Sequence, residues 1–365
     1  MKGYSLNPQT PKIYLILYKI QITIMNKTKD LVIKIIGPER YAIILLNYIN
    51  LLGIKTLIVN TYTDGKFFYK HSMVFKQNTF NKIESKIVLH YHAIEKGFLH
   101  NNFRFRFGED RIRDLIKLLS LQIVIDKKQM SQIASAYLAI CKYYERHKEN
   151  DIDISDFFSQ ENYELFKGMM TFNEKIVKDH DSLSYFKSVN SDFKEFSISR
   201  ASVRNFKEDK IPLDTLQKVI ELANYAPSVC NRQPTKIYYL DNKEKIDRVL
   251  KIQGGLTGYT REINQLLVVA TDRNYYYSIG ERNQFYIDGG IFLMNLLYAL
   301  HYYKIAACPA HWGHPIEKDR EILKEIPLLE SEKVICVVPI GFPSDSFKTT
   351  LSLRRDKQEV LKIVK

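Results

Sequence analysis

The pattern of apolar and polar positions changes character partway along this chain. Residues 31–36 are largely β-branched and apolar and are followed by Gly37-Pro38. A helical spacing then runs over residues 41–52, Gly53 ends it, and residues 55–59 again read as a strand. Strand, helix and strand in this order outline a βαβ unit. A dinucleotide site would need several glycines at the first turn, where backbone must approach the pyrophosphate, and only Gly37 is present. The expectation is a structural unit. Further on, Ile133, Tyr137, Ile140, Cys141 and Tyr144 recur at three- and four-residue spacing, which predicts an amphipathic helix over 130–147. A second helix is predicted over 155–178, and the polar stretch 179–194 reads as a linker.

Beyond that stretch the grammar differs. A helix is predicted over 212–225, with Pro212 in its first turn, Asp214 close behind and an apolar stripe of Leu213, Leu216, Val219, Ile220 and Ala223. It must stop before Pro227. Strands are predicted at 236–240, 265–271 and 333–340, and a long apolar helix at 288–303. Helices and strands mix without strict alternation, so the expected class is α+β, a mixed sheet flanked by helices. The expected organisation is an α/β and helical region over 25–190, then a second domain over 196–365. Met25 is an alternative start, which makes residues 1–24 a tail or a misassigned beginning.

Charge narrows the picture only slightly. The 365 residues carry a net +13, but the positive residues are scattered among Asp and Glu. There is no basic run interleaved with aromatics and no zinc-finger spacing, so a solvated basic surface is expected and not a nucleic-acid interface. Cys141, Cys230, Cys308 and Cys336 lack disulfide or CxxC spacing, which fits a reducing, cytoplasmic setting. The apolar stretch 13–25 is too short for a span and lacks a cleavage site. The next, 31–60, is interrupted by Lys34, Glu39, Arg40 and Lys55, so no membrane insertion is expected.

Two segments carry candidate chemistry. If Arg200-Ala201-Ser202-Val203-Arg204 is extended, Arg200, Ser202 and Arg204 share a side. Two guanidiniums and a hydroxyl there suit a phosphate or another oxygen-rich anion. About thirty residues later, Pro227-Ser228-Val229-Cys230-Asn231-Arg232-Gln233-Pro234 joins a helix to a strand. Its Asn231 and Gln233 amides both donate and accept, as the uracil-like edge of a flavin requires. Cys308, His311 and His314 recur every third residue, but Pro309 and Pro315 argue against a helix presenting all three, so no metal is expected.

The pair Arg-x-Ser-x-Arg and Ala-Pro-Ser-x-x-Asn-x-Gln-Pro resembles the nitroreductase family of FMN flavoproteins. Further matches follow in the family's order: Asp288-Gly289-Gly290 with Met294-Asn295-Leu296-Leu297, then Val337-Val338-Pro339-Ile340-Gly341, then Leu353-Arg354-Arg355. The resemblance covers 196–360. It implies that Arg200, Ala201 and Ser202 hold the phosphate and ribityl side, with Arg354 and Arg355 reaching in from the chain end. Arg204 would lie at the pyrimidine edge of the flavin. Pro227, Ser228, Asn231 and Gln233 would contact the isoalloxazine, and Ala310, His311 and Trp312 would match the segment facing N5. It also implies a homodimer with FMN at its interface. Thr235 stands where the family often has an aromatic residue, and the segment between Asp272 and Asp288 is short. The string 92–97 (His-Ala-Ile-Glu-Lys-Gly) resembles an N-terminal extension of nitroreductase-like proteins associated with surface-polysaccharide gene clusters. Its His92, Glu95 and Lys96 admit two readings, a substrate contact or a structural ion-pair network.

The implied activity is an oxidoreductase in which NAD(P)H gives hydride to flavin N5 and a small organic acceptor then takes the electrons. The cofactor carries the chemistry, and no catalytic side chain is called for. Two alternatives remain: flavin-dependent dehydrogenation of a biosynthetic intermediate, and a non-catalytic scaffold that retains the fold.

Overall fold

The computed structural model describes residues 27–364; the expected tail and the alternative start at Met25 lie outside them. The chain divides into two compact units, Met1–His71 and Ser72–Lys365.

In the first unit, residues 27–36 are helical (α1) and Pro38–His71 forms a single helix of 34 residues (α2). This corrects the expected strands at 31–36 and 55–59. β-branched residues favour a strand only where a neighbour offers an edge to pair with, and here the backbone bonds within the helix. The side chains of Thr56, Asn60 and Thr63 each donate to the carbonyl four residues back, at 2.8, 2.8 and 2.7 Å. Gly37, with φ of 84°, separates α1 from α2, and Pro38 takes the first helical position, where its missing N–H costs nothing. No residue of α2 is buried. By length and composition α2 is long and apolar enough to cross a membrane. The charges cited against a span do not exclude it: Lys34, Glu39 and Arg40 precede residues 41–59, and only Lys55 falls inside that shorter stretch.

The second unit begins with a helical layer: α3 (Phe80–Gly97), α4 (Glu109–Leu119), α5 (Gln122–Ile125), α6 (Ser131–Lys148) and α7 (Gln160–Met169). The stripe read from the sequence places Ile133, Tyr137, Ile140 and Cys141 of α6 in the middle of its core, against Ile87 and Ile94 of α3 and Leu115 of α4. The helix expected over 155–178 is shorter. Ser159 caps α7, its hydroxyl accepting from Asn162 N at 3.3 Å. The chain then leaves the helix to form β1 (Val177–Asp181). The polar stretch after it is not a linker, because the 3-10 turn Ser184–Phe186 buries Tyr185 and Phe186. Two buried aromatics outweigh the polar residues around them. The change from one core to the next falls between Ile176 and Tyr185, yet Ser72–Lys365 remains one compact unit.

There follow α8 (Phe193–Ser199), α9 (Leu213–Ala223), β2 (Thr235–Leu240), α10 (Lys243–Gln253), β3 (Gln265–Asp272), α11 (Gln284–Tyr302), β4 (Ala306–Ala307), β5 (Ala310–His311), α12 (Ile316–Ile322), β6 (Glu332–Gly341), β7 (Ser346–Thr350) and α13 (Lys357–Val360). The main sheet is antiparallel in the order β2-β3-β6-β4, with β5 also on β6, and β1 pairs with β7 apart from it. The α+β class holds. Period-two alternation sends the two sides of β3 into different cores. Leu266 and Val268 pack with Ile246 and Val249 of α10, whereas Leu267 and Val269 pack with Leu296 and Leu300 of α11. The helix lies close to the sheet because position 289 has no side chain. A Cβ there would come within 2.6 Å of Ile335 Cγ1 and 2.7 Å of Thr271 Oγ1.

Candidate functional site

Residues 200–204 run beside β4, held by Val203 N donating to Ala307 O at 3.1 Å. Val203 is fully buried in the core, so its neighbours in the strand-like run, Ser202 and Arg204, face the other way. Ala201 is fixed on both sides by Tyr185, whose hydroxyl donates to Ala201 O at 2.9 Å and accepts from Ala201 N at 3.0 Å. Before it, Ser199 Oγ meets His301 Nε2 of α11 at 2.7 Å. Burial, and next the Arg200 guanidinium, push the His301 imidazole down to about 4. Arg204 is only 9% exposed, and among the described residues its one hydrogen bond runs to Ser202 O at 3.4 Å. Among the described residues neither Arg200 nor Arg204 has a carboxylate partner. Arg204 is buried and Arg200 half-buried; a buried charge without a counterion is expensive, and such a pair of guanidiniums has the chemistry to accept an anion.

The second motif is a strained turn. Cys230, Asn231 and Gln233 all take positive φ, of 49, 55 and 48°. Side chains rarely adopt that region, and such strain concentrates where geometry serves a ligand. The turn is held from within: Ser228 Oγ accepts from Gln233 N at 2.9 Å, and Gln233 Nε2 donates to Asn231 Oδ1 at 3.1 Å. It is held from below by Asp288, 2% exposed, which accepts from Val229 N at 3.3 Å, Tyr276 Oη at 3.1 Å and Gln284 Nε2 at 2.9 Å. Arg232 braces the outside, donating to Glu281 and to Tyr275 O, each at 2.7 Å. A small pocket opens between Pro227, Ser228, Gln233 and Phe292.

Within one chain these motifs do not meet. Ser199, just before the 200–204 run, is tied to α11 at His301, and the 227–234 turn is tied at Asp288. Those are thirteen positions apart on one helix, or about 20 Å at 1.5 Å per residue. Ala310 and His311 form β5 opposite Val337 and Cys336. His311 is exposed, its carbonyl accepting from Gln253 Nε2 at 3.2 Å, and the buried Trp312 donates to Asp319 at 2.7 Å. Cys308 is buried while His314 bonds Gln253 O at 3.0 Å, so the Cys308, His311 and His314 triplet does not converge. Among the described residues no cluster of His, Cys, Asp or Glu could hold a metal ion.

At the chain end, Arg355 is committed elsewhere. Its guanidinium grips both oxygens of Glu84 on α3 and reaches Glu359 at 3.2 Å. A cation between two carboxylates offers little net charge to a phosphate. Arg354 is exposed and, among the described residues, bonds only Ser352 O, at 3.3 Å. Sequence reasoning missed two participants, Asp288 as the anchor of the strained turn and Glu84 as the partner of Arg355. Their signal is contact across the fold, which spacing along the chain does not carry. Glu95 accepts from Ser352 N at 3.3 Å and meets His92 Nδ1 at 2.8 Å. Part of the 92–97 string is therefore structural.

Three comparisons bear on this arrangement. No curated protein matches the chain. Among solved structures, a nitroreductase-like protein from Streptococcus mutans aligns at 22% identity and TM-score 0.42, covering 48% of this chain and 99% of that one. A nitroreductase family protein from Clostridium difficile 630 aligns at 20% identity and TM-score 0.40, covering 47% and 97%. An FMN-dependent nitroreductase from Clostridium difficile R20291 aligns at 17% identity and TM-score 0.37, covering 46% and 92%. Residues 198–271, which contain both the Arg-x-Ser-x-Arg run and the strained turn, match the nitroreductase family.

Proposed function

We propose that the Ser72–Lys365 unit binds FMN and is an oxidoreductase that takes reducing equivalents from NAD(P)H and passes them to a small organic acceptor. The observation that carries this reading is Arg204, about nine-tenths buried and without a carboxylate, beside Arg200 and Ser202 inside the segment that matches the family. FMN supplies two-electron chemistry when bound, and the side chains have three tasks. Arg200 and Ser202 hold the phosphate and ribityl end, with Arg354 the exposed guanidinium of the chain end. Arg204 places fixed positive charge where negative charge develops, and a preorganised charge in a dry site is worth far more than one in water. The 227–234 turn presents Pro227 and Ser228 to the ring and the Asn231 and Gln233 amides to its polar edge.

The 20 Å between the two anchor positions on α11 supports a homodimer in which the 200–204 run of one subunit faces the 227–234 turn of its partner. Exposed Ile287, Ile291 and Met294 give α11 an apolar face for that pairing. A nicotinamide donor implies a cytoplasmic setting for this unit.

The test is an absorption spectrum of the purified protein after incubation with FMN and desalting. Retained flavin bands that disappear in the Arg200→Ala, Arg204→Ala double variant support the reading. A wild-type chain that retains no flavin overturns it.

A further inference from the structure

α2 carries apolar residues on every side. Ile43, Ile44, Leu45 and Leu46 are consecutive, so at about 100° per residue they point around the whole helix, and all four are exposed. Within residues 41–59 the polar side chains of Asn47, Asn50, Lys55 and Thr56 are likewise spread around the axis and form no polar stripe. A core helix would be covered by its own fold, whereas no residue of α2 is buried. A helix lying in the plane of a membrane surface would keep one polar face. A second copy of the helix would cover a single stripe and leave the other sides in water. A surrounding apolar medium covers them all.

Length, charge and internal bonding agree with a lipid medium. Residues 41–59 rise about 28 Å at 1.5 Å per residue, against a hydrocarbon core of about 30 Å. Both flanks are net positive. Residues 27–40 hold four basic and two acidic side chains, and residues 60–76 hold Lys66, Lys70 and Lys76 against Asp64. That charge complements anionic headgroups at the two surfaces. Tyr41 stands at one end and Tyr62 just beyond the other, where amphipathic rings favour the interface. Inside the stretch, Thr56 Oγ1 donates to Leu52 O at 2.8 Å, so the hydroxyl needs no water. Lys55 lies one turn from the end of the stretch, where its flexible stem can carry the amine to the interface.

We propose that α2 spans a lipid bilayer through residues 41–59 and anchors the chain there, whether or not flavin is bound.

The experiment takes the full chain in detergent, adds phosphatidylcholine and phosphatidylglycerol, removes the detergent and floats the vesicles through a density gradient, with and without an alkaline carbonate wash. Three chains are compared: wild type, the Leu46→Lys, Ile49→Lys double variant, and the Leu31→Lys, Ile35→Lys double variant, which adds the same charge outside the stretch. All four positions are exposed, so the changes disturb no packing. Wild type and the outer variant are expected to float and to resist the wash, while the floating share of the inner variant falls about tenfold. Wild type that floats but is stripped by carbonate overturns the inference in favour of surface adsorption through the basic flanks. Wild type that does not float also overturns it, and self-association in that case would assign α2 to a second copy of the chain. So does an inner variant that floats and resists the wash as well as wild type.

Discussion

Arg355 places its two terminal nitrogens on the two carboxylate oxygens of Glu84, at 2.8 and 2.9 Å, joining residues 271 positions apart. The pair fastens the chain end to the first helix of the helical layer. Glu84 is nearly buried, so removing its partner leaves a carboxylate poorly solvated. The arginine is itself more than a third exposed, and solvent screens the pair. Arg355→Ala is expected to cost about 1 kcal/mol in urea denaturation while leaving FMN affinity within twofold. Arg354→Ala is expected to do the reverse, weakening FMN severalfold with stability unchanged. The opposite assignment would show Arg355, not Arg354, to be the phosphate ligand.

A split site can be rebuilt from two damaged chains. Arg200→Ala and Asn231→Ala alone should each lose flavin. When the two are unfolded and refolded together, half the dimers pair unlike chains, and each of those regains one intact site, or about a quarter of all sites. Flavin retention no better in the mixture than in either variant alone would mean that both motifs serve a site within one chain.

His301 is neutral in the folded protein, with its pKa pushed down to about 4 by burial and Arg200. The unfolded chain titrates near 6.5. Between those values the unfolded state binds the extra proton, so the stability is present above pH 6.5 and is lost as pH falls toward 4. The contribution is on the order of 3 kcal/mol. His301→Gln should flatten the pH dependence of the denaturation midpoint between pH 6.5 and 4. An unchanged slope would show that His301 does not govern it.

Gly289→Ala should destabilise by about 2 kcal/mol, because the added methyl meets Ile335 and Thr271 on the sheet and pushes α11 outward. Urea denaturation measures it. A stability equal to wild type would mean that helix and sheet separate without cost.

α2 exposes Ile43, Ile44, Leu46, Ile49, Leu51 and Leu52. Apolar surface on that scale does not stay in water unaccompanied. A chain beginning at Ser72 should retain flavin and run as a sharp peak in size-exclusion chromatography without detergent, while the full chain requires detergent to do so. A full chain that is equally monodisperse in plain buffer would refute this.

Legibility in the sequence followed the range of the forces involved. β2, β3 and β6 and the helices α6, α9 and α11 were readable to within a few residues, because their stripes and alternation are local and their packing agrees with them. The Arg200 and Asn231 motifs were readable as residue types at fixed spacing. What failed depended on partners. The runs 31–36 and 55–59 have strand composition and no strand beside them, so they became helix along with residues 41–52, where a helix was expected. The polar stretch 179–194 buries Tyr185 and Phe186, which composition averages away. The ties of Asp288 to Val229 and of Glu84 to Arg355 join distant positions, and no single-sequence pattern announces them.

The two anchors on α11, His301 near one end and Asp288 near the other, have a consequence for handling the protein. If each cofactor needs a face from two chains, occupancy is governed by mass action between chains as well as between chain and flavin. Dilution then becomes a way of stripping the protein, and concentrating it in the presence of FMN a way of reloading it.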